Sequence, residues 1–263
     1  MKLLSLLSEY LFAPRAICQG CGSVLGSDQG LLCSSCYSKL QPLYLENRSE
    51  TSICQNCGGI KISSRCPSCH MRLTGTLRAF ASYEYVEPIR HMIHALKFMG
   101  TWRVSEWMAG EMLKTLKSVP QYTATAIFPV PLHPLRKLQR GYNQSEKIAF
   151  ELSKLIDVPV KPLLKRTKYT HQQAKLDANS RRKALKGAFK ADSQLSGERI
   201  LLLDDVRTTG TTLIRCAEAL FQAGAEEVAV ITLAVSLKKT TSTRKYHPDK
   251  GVGKMQSPPA DGF

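Results

Sequence analysis

Past residue 74 the chain switches repeatedly between two hydrophobic periodicities, and the switching defines an architecture. Residues 79–85 alternate apolar and polar positions and read as a strand. Glu87-Pro88 opens a helix with proline at its first position, ending near Gly100, and a second helix covers 103–117. A short strand at 124–128 runs into a proline-rich loop at 129–134. Residues 144–155 then have helical spacing, and 158–164 read as extended. Strand, helix and strand follow at 200–203, 213–223 and 228–235, with Gly224 as the helix C-cap. This alternation predicts an α/β fold: a parallel sheet flanked by helices, with ligands at the carboxyl ends of its strands. Residues 167–186 are polar and weakly patterned. The tail at 238–263, with Pro258-Pro259 near its end, is predicted to be disordered.

The first 74 residues follow another rule. Leu3, Leu4, Leu6, Leu7, Tyr10 and Leu11 recur at helical spacing. No small-x-small cleavage site follows them, so a short amphipathic helix is favoured over a signal peptide. Then come four Cys-x-x-Cys pairs: Cys18/Cys21, Cys33/Cys36, Cys54/Cys57 and Cys66/Cys69. Each pair presents two thiolates on one side of a turn, and two turns complete a tetrahedral zinc site. Sequential pairing predicts two structural Zn2+ ions in a double zinc ribbon, one held by residues 18–36 and one by 54–69, with a polar link at 47–52 between them. A disulfide scaffold would need an oxidising compartment for which the sequence carries no signal. His70 reads as a neighbour of the second site, and Cys216 as an inert buried thiol. The organisation expected is 1–74 for the helix and ribbons, 75–237 for the α/β domain, and 238–263 for the tail.

The chemistry concentrates at 200–212. An apolar run ends in Asp204 and Asp205, followed by Val206, Arg207, Thr208, Thr209, Gly210, Thr211 and Thr212, and then by the helix. Backbone N–H groups of such a turn, with the helix N-terminus, suit a phosphate. Phosphate alone has no use for two adjacent acids. Carboxylates beside a phosphate cradle suit a sugar phosphate, accepting from ribose hydroxyls directly or through Mg2+. A P-loop is excluded, because no Gly-Lys-Ser/Thr follows the turn. The segment resembles the 5-phosphoribosyl-1-pyrophosphate (PRPP) signature of type I phosphoribosyltransferases.

Charge adds a partner class. The formal net charge is +16. Between residues 136 and 190, fifteen Lys/Arg stand against four Asp/Glu, so one fifth of the chain carries +11. Such one-sided charge favours a polyanion, nucleic acid or pyrophosphate, over a merely solvated face. No stretch approaches the roughly 20 apolar residues of a spanning helix.

Three further stretches extend the resemblance. They are His94-Ala95-Leu96-Lys97-Phe98-Met99-Gly100; Val130-Pro131-Leu132-His133-Pro134 leading to Arg140-Gly141-Tyr142-Asn143-Gln144-Ser145; and Gln173 through Arg181 to Gly187-Ala188-Phe189. Together with the cysteine pairs and the PRPP turn, they are similar to the ComF family. That resemblance implies a type I phosphoribosyltransferase-like domain behind a zinc-binding region. It also implies a cytoplasmic role in natural transformation, handling incoming single-stranded DNA with other competence proteins. Peripheral attachment to the inner face of the membrane stays open. Two functions remain: a competence factor that binds PRPP, or a phosphoribosyltransferase acting on a nucleobase or amine.

In either case Asp204 and Asp205 would hold the ribose hydroxyls and carry any catalysis, while 206–212 bind the 5-phosphate with Mg2+ accompanying PRPP. Arg136, Lys137, Arg140, Asn143 and Gln144, read as part of a loop, would contact pyrophosphate or the DNA backbone. Asn143 and Gln144 are equally open to a structural role. Lys165, Arg166 and Lys168 precede a segment able to close over PRPP. His91 and His94 lack a third metal ligand. Tyr83, Tyr85, Tyr142 and Phe98 are candidates either for base stacking or for core.

Overall fold

A computed structural model describes residues 16–26, 30–43, 76–98, 102–118, 123–167, 185, 187–208 and 210–236. Its strands are β1 (Thr76–Glu84), β2 (Ala126–Pro129), β3 (Leu164–Arg166), β4 (Phe189–Ala191), β5 (Arg199–Arg207) and β6 (Glu227–Val235). Its helices are α1 (Ser34–Tyr37), α2 (Ile89–Phe98), α3 (Trp102–Lys117), α4 (Pro134–Arg140), α5 (Gln144–Ile156) and α6 (Thr211–Gln222). Four strands form one sheet in the order β1-β6-β5-β2, with every pair parallel. This is the expected α/β class.

The two-sided burial of β5 explains its unbroken apolar run. Leu201 and Leu203 pack on one face with Ile127, Ala229 and Ile231 against α2, α3 and α5. Ile200 and Leu202 pack on the other face with Phe128, Val228 and Val230 against α6, Ala188 and Phe189. Burying a Leu or Ile side chain contributes about 2 kcal/mol, so the residues of this one strand anchor both layers.

Several boundaries differ from the expected ones. β5 continues past residue 203 because β6 offers it a full ladder: Asp204 pairs with Thr232, Val206 with Ala234 and Arg207 with Val235. Asp204, Asp205, Val206 and Arg207 therefore belong to the strand, which ends at Arg207, and the helix begins at Thr211. Helix α2 begins at Ile89, so Pro88 precedes it instead of occupying its first position. At the end of α6 the C-cap is Ala223, while Gly224 lies one residue beyond with φ +103. A Cβ on Gly224 would stand 2.5 Å from the Leu195 carbonyl oxygen, so both conformation and space demand glycine there.

The stretch containing Arg136, Lys137 and Arg140, expected as loop, is helix α4. His133 is its N-cap, accepting from Leu135 N, with proline in the first turn and Gly141 at φ +77 closing it. Seven residues with none buried leave no periodic apolar face, so the pattern could not reveal it. The expected extended segment at 158–164 makes only an isolated parallel bridge, Val160 to Ile127, before β3 pairs antiparallel with β4. The predicted helix at 1–13, the link at 47–52, Cys54, Cys57, Cys66, Cys69, most of 167–186, Thr209 and the tail lie outside the described residues.

The described cysteine segment packs directly on the α/β body. Cys18, Leu25, Leu32 and Cys36 share one core with Tyr83, Ile89 and Met92. Pro42 bridges antiparallel to Tyr83, and Leu43 N donates to the Ser82 carbonyl at 2.8 Å, which covers the outer edge of β1.

Candidate functional site

The first cluster is built by two turns. Cys18, Cys21, Cys33 and Cys36 bring their sulfurs within 4.8 Å of one another. Cys21 Sγ lies 3.8 Å from Cys33 Sγ. Backbone amides serve the sulfurs: Gly20 N donates to Cys18 Sγ at 3.4 Å and Cys33 N to the same sulfur at 3.3 Å. The Ser23 hydroxyl beside Cys21, with backbone help from Ser23, brings that thiol down to about 6. Burial raises the Cys36 thiol. Four converging thiols of this kind fit a tetrahedral metal ion, with every position filled by protein. Gly20 is the joint to the rest of the molecule, since a Cβ there would meet Pro88 Cβ at 2.7 Å and Cys36 Sγ at 2.9 Å.

The second site lies where β5 and β2 end. Asp205 is buried, with its Oδ2 2.7 Å from Lys97 Nζ in the last turn of α2. That oxygen is sealed from solvent and has the ammonium beside it, but no hydrogen bond of good geometry. Asp204 is half-buried. Its Oδ1 accepts from the Ser145 hydroxyl at 2.8 Å and from the Asp205 amide at 3.0 Å. Burial, and then the neighbouring Asp205 charge, push the Asp204 carboxyl up to about 7, with Ser145 and Lys97 opposing. The acids therefore differ in environment although they are adjacent in sequence.

Beyond them Gly210 takes φ +72, a conformation L side chains avoid, and opens α6. As N-cap it has no side chain to accept from the first turn, and the helix dipole at that end favours an anion. Thr208 is exposed and Thr211 is buried.

Cations rim the acids. A cleft of about 340 Å3 is lined by Lys97, Phe98, Arg136, Gln139 and Arg140. The Arg140 guanidinium lies over the Phe98 ring at 5.3 Å and donates to Gln144 Oε1 at 3.3 Å. Burial lowers the Arg140 guanidinium, and the Asp205 charge raises it in opposition. From β3, Arg166 is lowered by burial and by Arg136 and raised by the Asp204 charge. It lies over the Phe189 ring at 5.6 Å. His133 is lowered by burial and by Arg166 and Arg136, so α4, its cap and β3 converge on one positively charged corner.

The remaining predicted contacts have other work. Lys137 pairs with Glu146 at 3.2 Å. Asn143 is 2 % exposed and uses both ends of its amide: its oxygen caps α5 at Ser145 N, and Nδ2 donates to the Val130 carbonyl at 3.0 Å. Gln144 is buried beneath Arg140. Arg207 is buried near the end of β5. His91 pairs with Glu87, and the His94 ring lies tilted against Phe98 with centroids 4.4 Å apart. Tyr83 stacks on Trp107 in the core, and the Tyr142 hydroxyl donates to the Leu96 carbonyl.

Sequence reasoning assigned no role to Lys97 or Ser145. Both sit inside stretches already conspicuous in the sequence. Lys97 stands four residues after the buried Ile93, at the edge of the buried face of α2, which was the available signal.

Known proteins resemble this chain in sequence and, more loosely, in fold. The phosphoribosyl transferase domain matches residues 141–262. Competence protein F of Haemophilus influenzae is 29% identical over 227 residues, covering 82% of this chain and 96% of that protein. DNA utilization protein YhgH of Escherichia coli K12 is 28% identical over 197 residues, 72% of this chain and 87% of that one. Competence protein ComFC of Streptococcus pneumoniae is 27% identical over 217 residues, 80% and 90% respectively. Among solved structures, adenine phosphoribosyl transferase from Trypanosoma brucei gives a TM-score of 0.36 at 13% identity, covering 68% of this chain and 92% of that one. The PRPP amidotransferase of B. subtilis gives 0.34 at 22% identity, covering 49% and 26%. Scores this low assign no residue. The sequence relatives reach through both the cysteine segment and the α/β body, so over most of its length the chain is similar to proteins named for competence and DNA utilization, with a phosphoribosyl transferase domain in its second half.

Proposed function

We propose that this ComF-type protein binds PRPP with Mg2+ at the carboxyl end of β5 and handles single-stranded DNA during natural transformation. The observation that carries the reading is the placement of Asp204 and Asp205 between the glycine-opened N-terminus of α6 and a cleft lined by Lys97, Arg136 and Arg140. In this arrangement the two carboxylates accept from the ribose 2′- and 3′-hydroxyls. The amides and hydroxyls of 208–212 hold the 5-phosphate. Lys97, Arg136 and Arg140 take the pyrophosphate. The sealed Asp205 Oδ2 and its neighbour Asp204 fit a divalent ion, which would supply charge neutralisation between sugar and pyrophosphate oxygens. The four described cysteines hold a structural Zn2+, and Cys54, Cys57, Cys66 and Cys69 hold a second. The names of the relatives, competence and DNA utilization proteins, support the DNA role.

Transfer of the phosphoribosyl group is the second reading, favoured by the domain match. It would rest on positioning and on electrostatic stabilisation of an oxocarbenium-like ribose as pyrophosphate leaves C1.

The test is a thermal shift of the purified protein with PRPP and Mg2+, beside a transformation assay of an Asp204→Ala, Asp205→Ala strain. A rise in Tm that the double variant loses, with loss of transformation, is expected. No shift at saturating PRPP sinks the pocket. Salt-sensitive single-strand affinity that survives Asp204→Ala separates the competence role from a transferase. Acceptor-dependent pyrophosphate release would favour the transferase.

A further inference from the structure

Lys97 stands in a place that the proposed ligand needs. Its ammonium lies 2.7 Å from Asp205 Oδ2, with the carboxylate side chain 6 % exposed and the lysine side chain 21 % exposed. The same lysine lines the cleft shared with Arg136 and Arg140. It thus faces two neighbours of different character: a sealed carboxylate on one side and, on the other, a wall where Arg136 and Arg140 stand beside Phe98 and Gln139. Its backbone is fixed. The Tyr142 hydroxyl holds the Leu96 carbonyl one residue before it, and Phe98 one residue after is clamped between His94 and the Arg140 guanidinium. Only the flexible four-carbon stem of Lys97 is free to redirect the charge.

A divalent ion and an ammonium cannot share one carboxylate oxygen, because like charges a few ångströms apart repel strongly where water is scarce. An ion arriving alone would therefore displace Lys97 toward Arg136 and Arg140, cations like itself. An ion arriving with pyrophosphate brings a counter-charge into the cleft. We propose that the Lys97 ammonium is a built-in placeholder for the divalent cation on Asp205. It keeps the acidic pair closed to metal alone, and it crosses to the pyrophosphate when metal and ligand bind together. This rests on the sugar-phosphate reading for its second half only.

The test uses the full-length, zinc-loaded protein at about pH 8. Free Mn2+ is titrated by electron paramagnetic resonance, and magnesium pyrophosphate by calorimetry, in wild type, Lys97→Met and Lys97→Arg. Lys97→Met is expected to bind Mn2+ about tenfold more tightly and magnesium pyrophosphate about tenfold more weakly, while Lys97→Arg stays near wild type. A merely structural lysine would weaken both ligands, and that result, or no change in either, overturns the proposal. Asp205→Asn gives an independent reading should Lys97→Met fold poorly. With Lys97 released, metal-free pyrophosphate in EDTA should bind several-fold more tightly than to wild type. Equal or weaker binding overturns the proposal. The Mn2+ arm does not involve PRPP. A wild-type protein that ignores PRPP while Lys97→Met gains Mn2+ would sink the sugar-phosphate reading and leave the placeholder standing. PRPP binding in wild type with no Mn2+ gain in the variant would sink the placeholder alone.

Discussion

Ser145, in the first turn of α5, donates its hydroxyl to Asp204 at the end of β5 across 2.8 Å. This bond ties a helix whose cap is anchored on the β2 loop, through Asn143 and the Val130 carbonyl, to an interior strand of the sheet. The acid's ionisation therefore depends on how α5 begins. Ser145 is one of the groups holding the Asp204 carboxyl down against burial. Ser145→Ala should raise that carboxyl further and weaken Mg2+-PRPP binding about tenfold near neutrality, the worth of one hydrogen bond to a charged group. Calorimetry at two pH values checks it: recovery at higher pH fits an ionisation effect, and an equal loss at both pH values does not.

Wild-type binding should itself titrate. With the Asp204 carboxyl up to about 7, against its ordinary 3.8, the carboxylate needed by ribose and cation fills in as pH rises through neutrality. Affinity for Mg2+-PRPP should therefore climb between pH 6 and 8. Folding stability has the opposite sign. The folded state keeps a proton that the unfolded chain releases above 3.8, so this group's contribution is fully present below that pH and is lost as pH rises through about 7. Affinity that is flat over this range would rule out a titrating Asp204.

The joint at Gly20 gives a stability prediction. A methyl group there collides with Pro88 and Cys36, so Gly20→Ala should cost about 2 kcal/mol and lower the Tm. Chelation should lower it too, because the cysteine segment shares a core with Tyr83, Ile89 and Met92. Elemental analysis should find two zinc ions per chain, and one or none would defeat that count.

Asn143→Ala removes both the α5 cap and the bond to Val130. It should destabilise by about 2 kcal/mol, measurable by chemical denaturation. Asn143→Asp keeps the capping oxygen and should recover part of the loss.

Arg140 lies over Phe98 on the cleft wall, combining a phosphate-binding charge with an exposed ring. Arg140→Ala should weaken single-stranded DNA binding and reduce the salt slope by about one phosphate contact. An unchanged slope would take Arg140 off the DNA path.

The sheet was legible because each element buries a continuous face. Ile200 to Leu203 are apolar at every position, as a strand covered on both sides requires, and they lie in one of the two interior strands. α4 was not legible, since Leu135 and Leu138 remain exposed and its ends are set by His133 and Gly141. The continuation of β5 through Arg207 was hidden for another reason. Asp204 and Asp205 look like the end of a strand, and only pairing with Thr232, Ala234 and Val235 carries the ladder past them.

The sequence by itself determined the α/β class, the first two cysteine turns and the location of the acidic pair. Each of these is written in local spacing: a periodicity, a Cys-x-x-Cys, an Asp-Asp before Thr-Thr-Gly. Only the tertiary structure decided that Lys97 faces Asp205, that Ser145 holds Asp204 and that Arg166 closes the same corner. Single polar contacts between distant segments leave no periodic trace. They are set by strand order and by where each helix starts, and these become definite only when the layers pack.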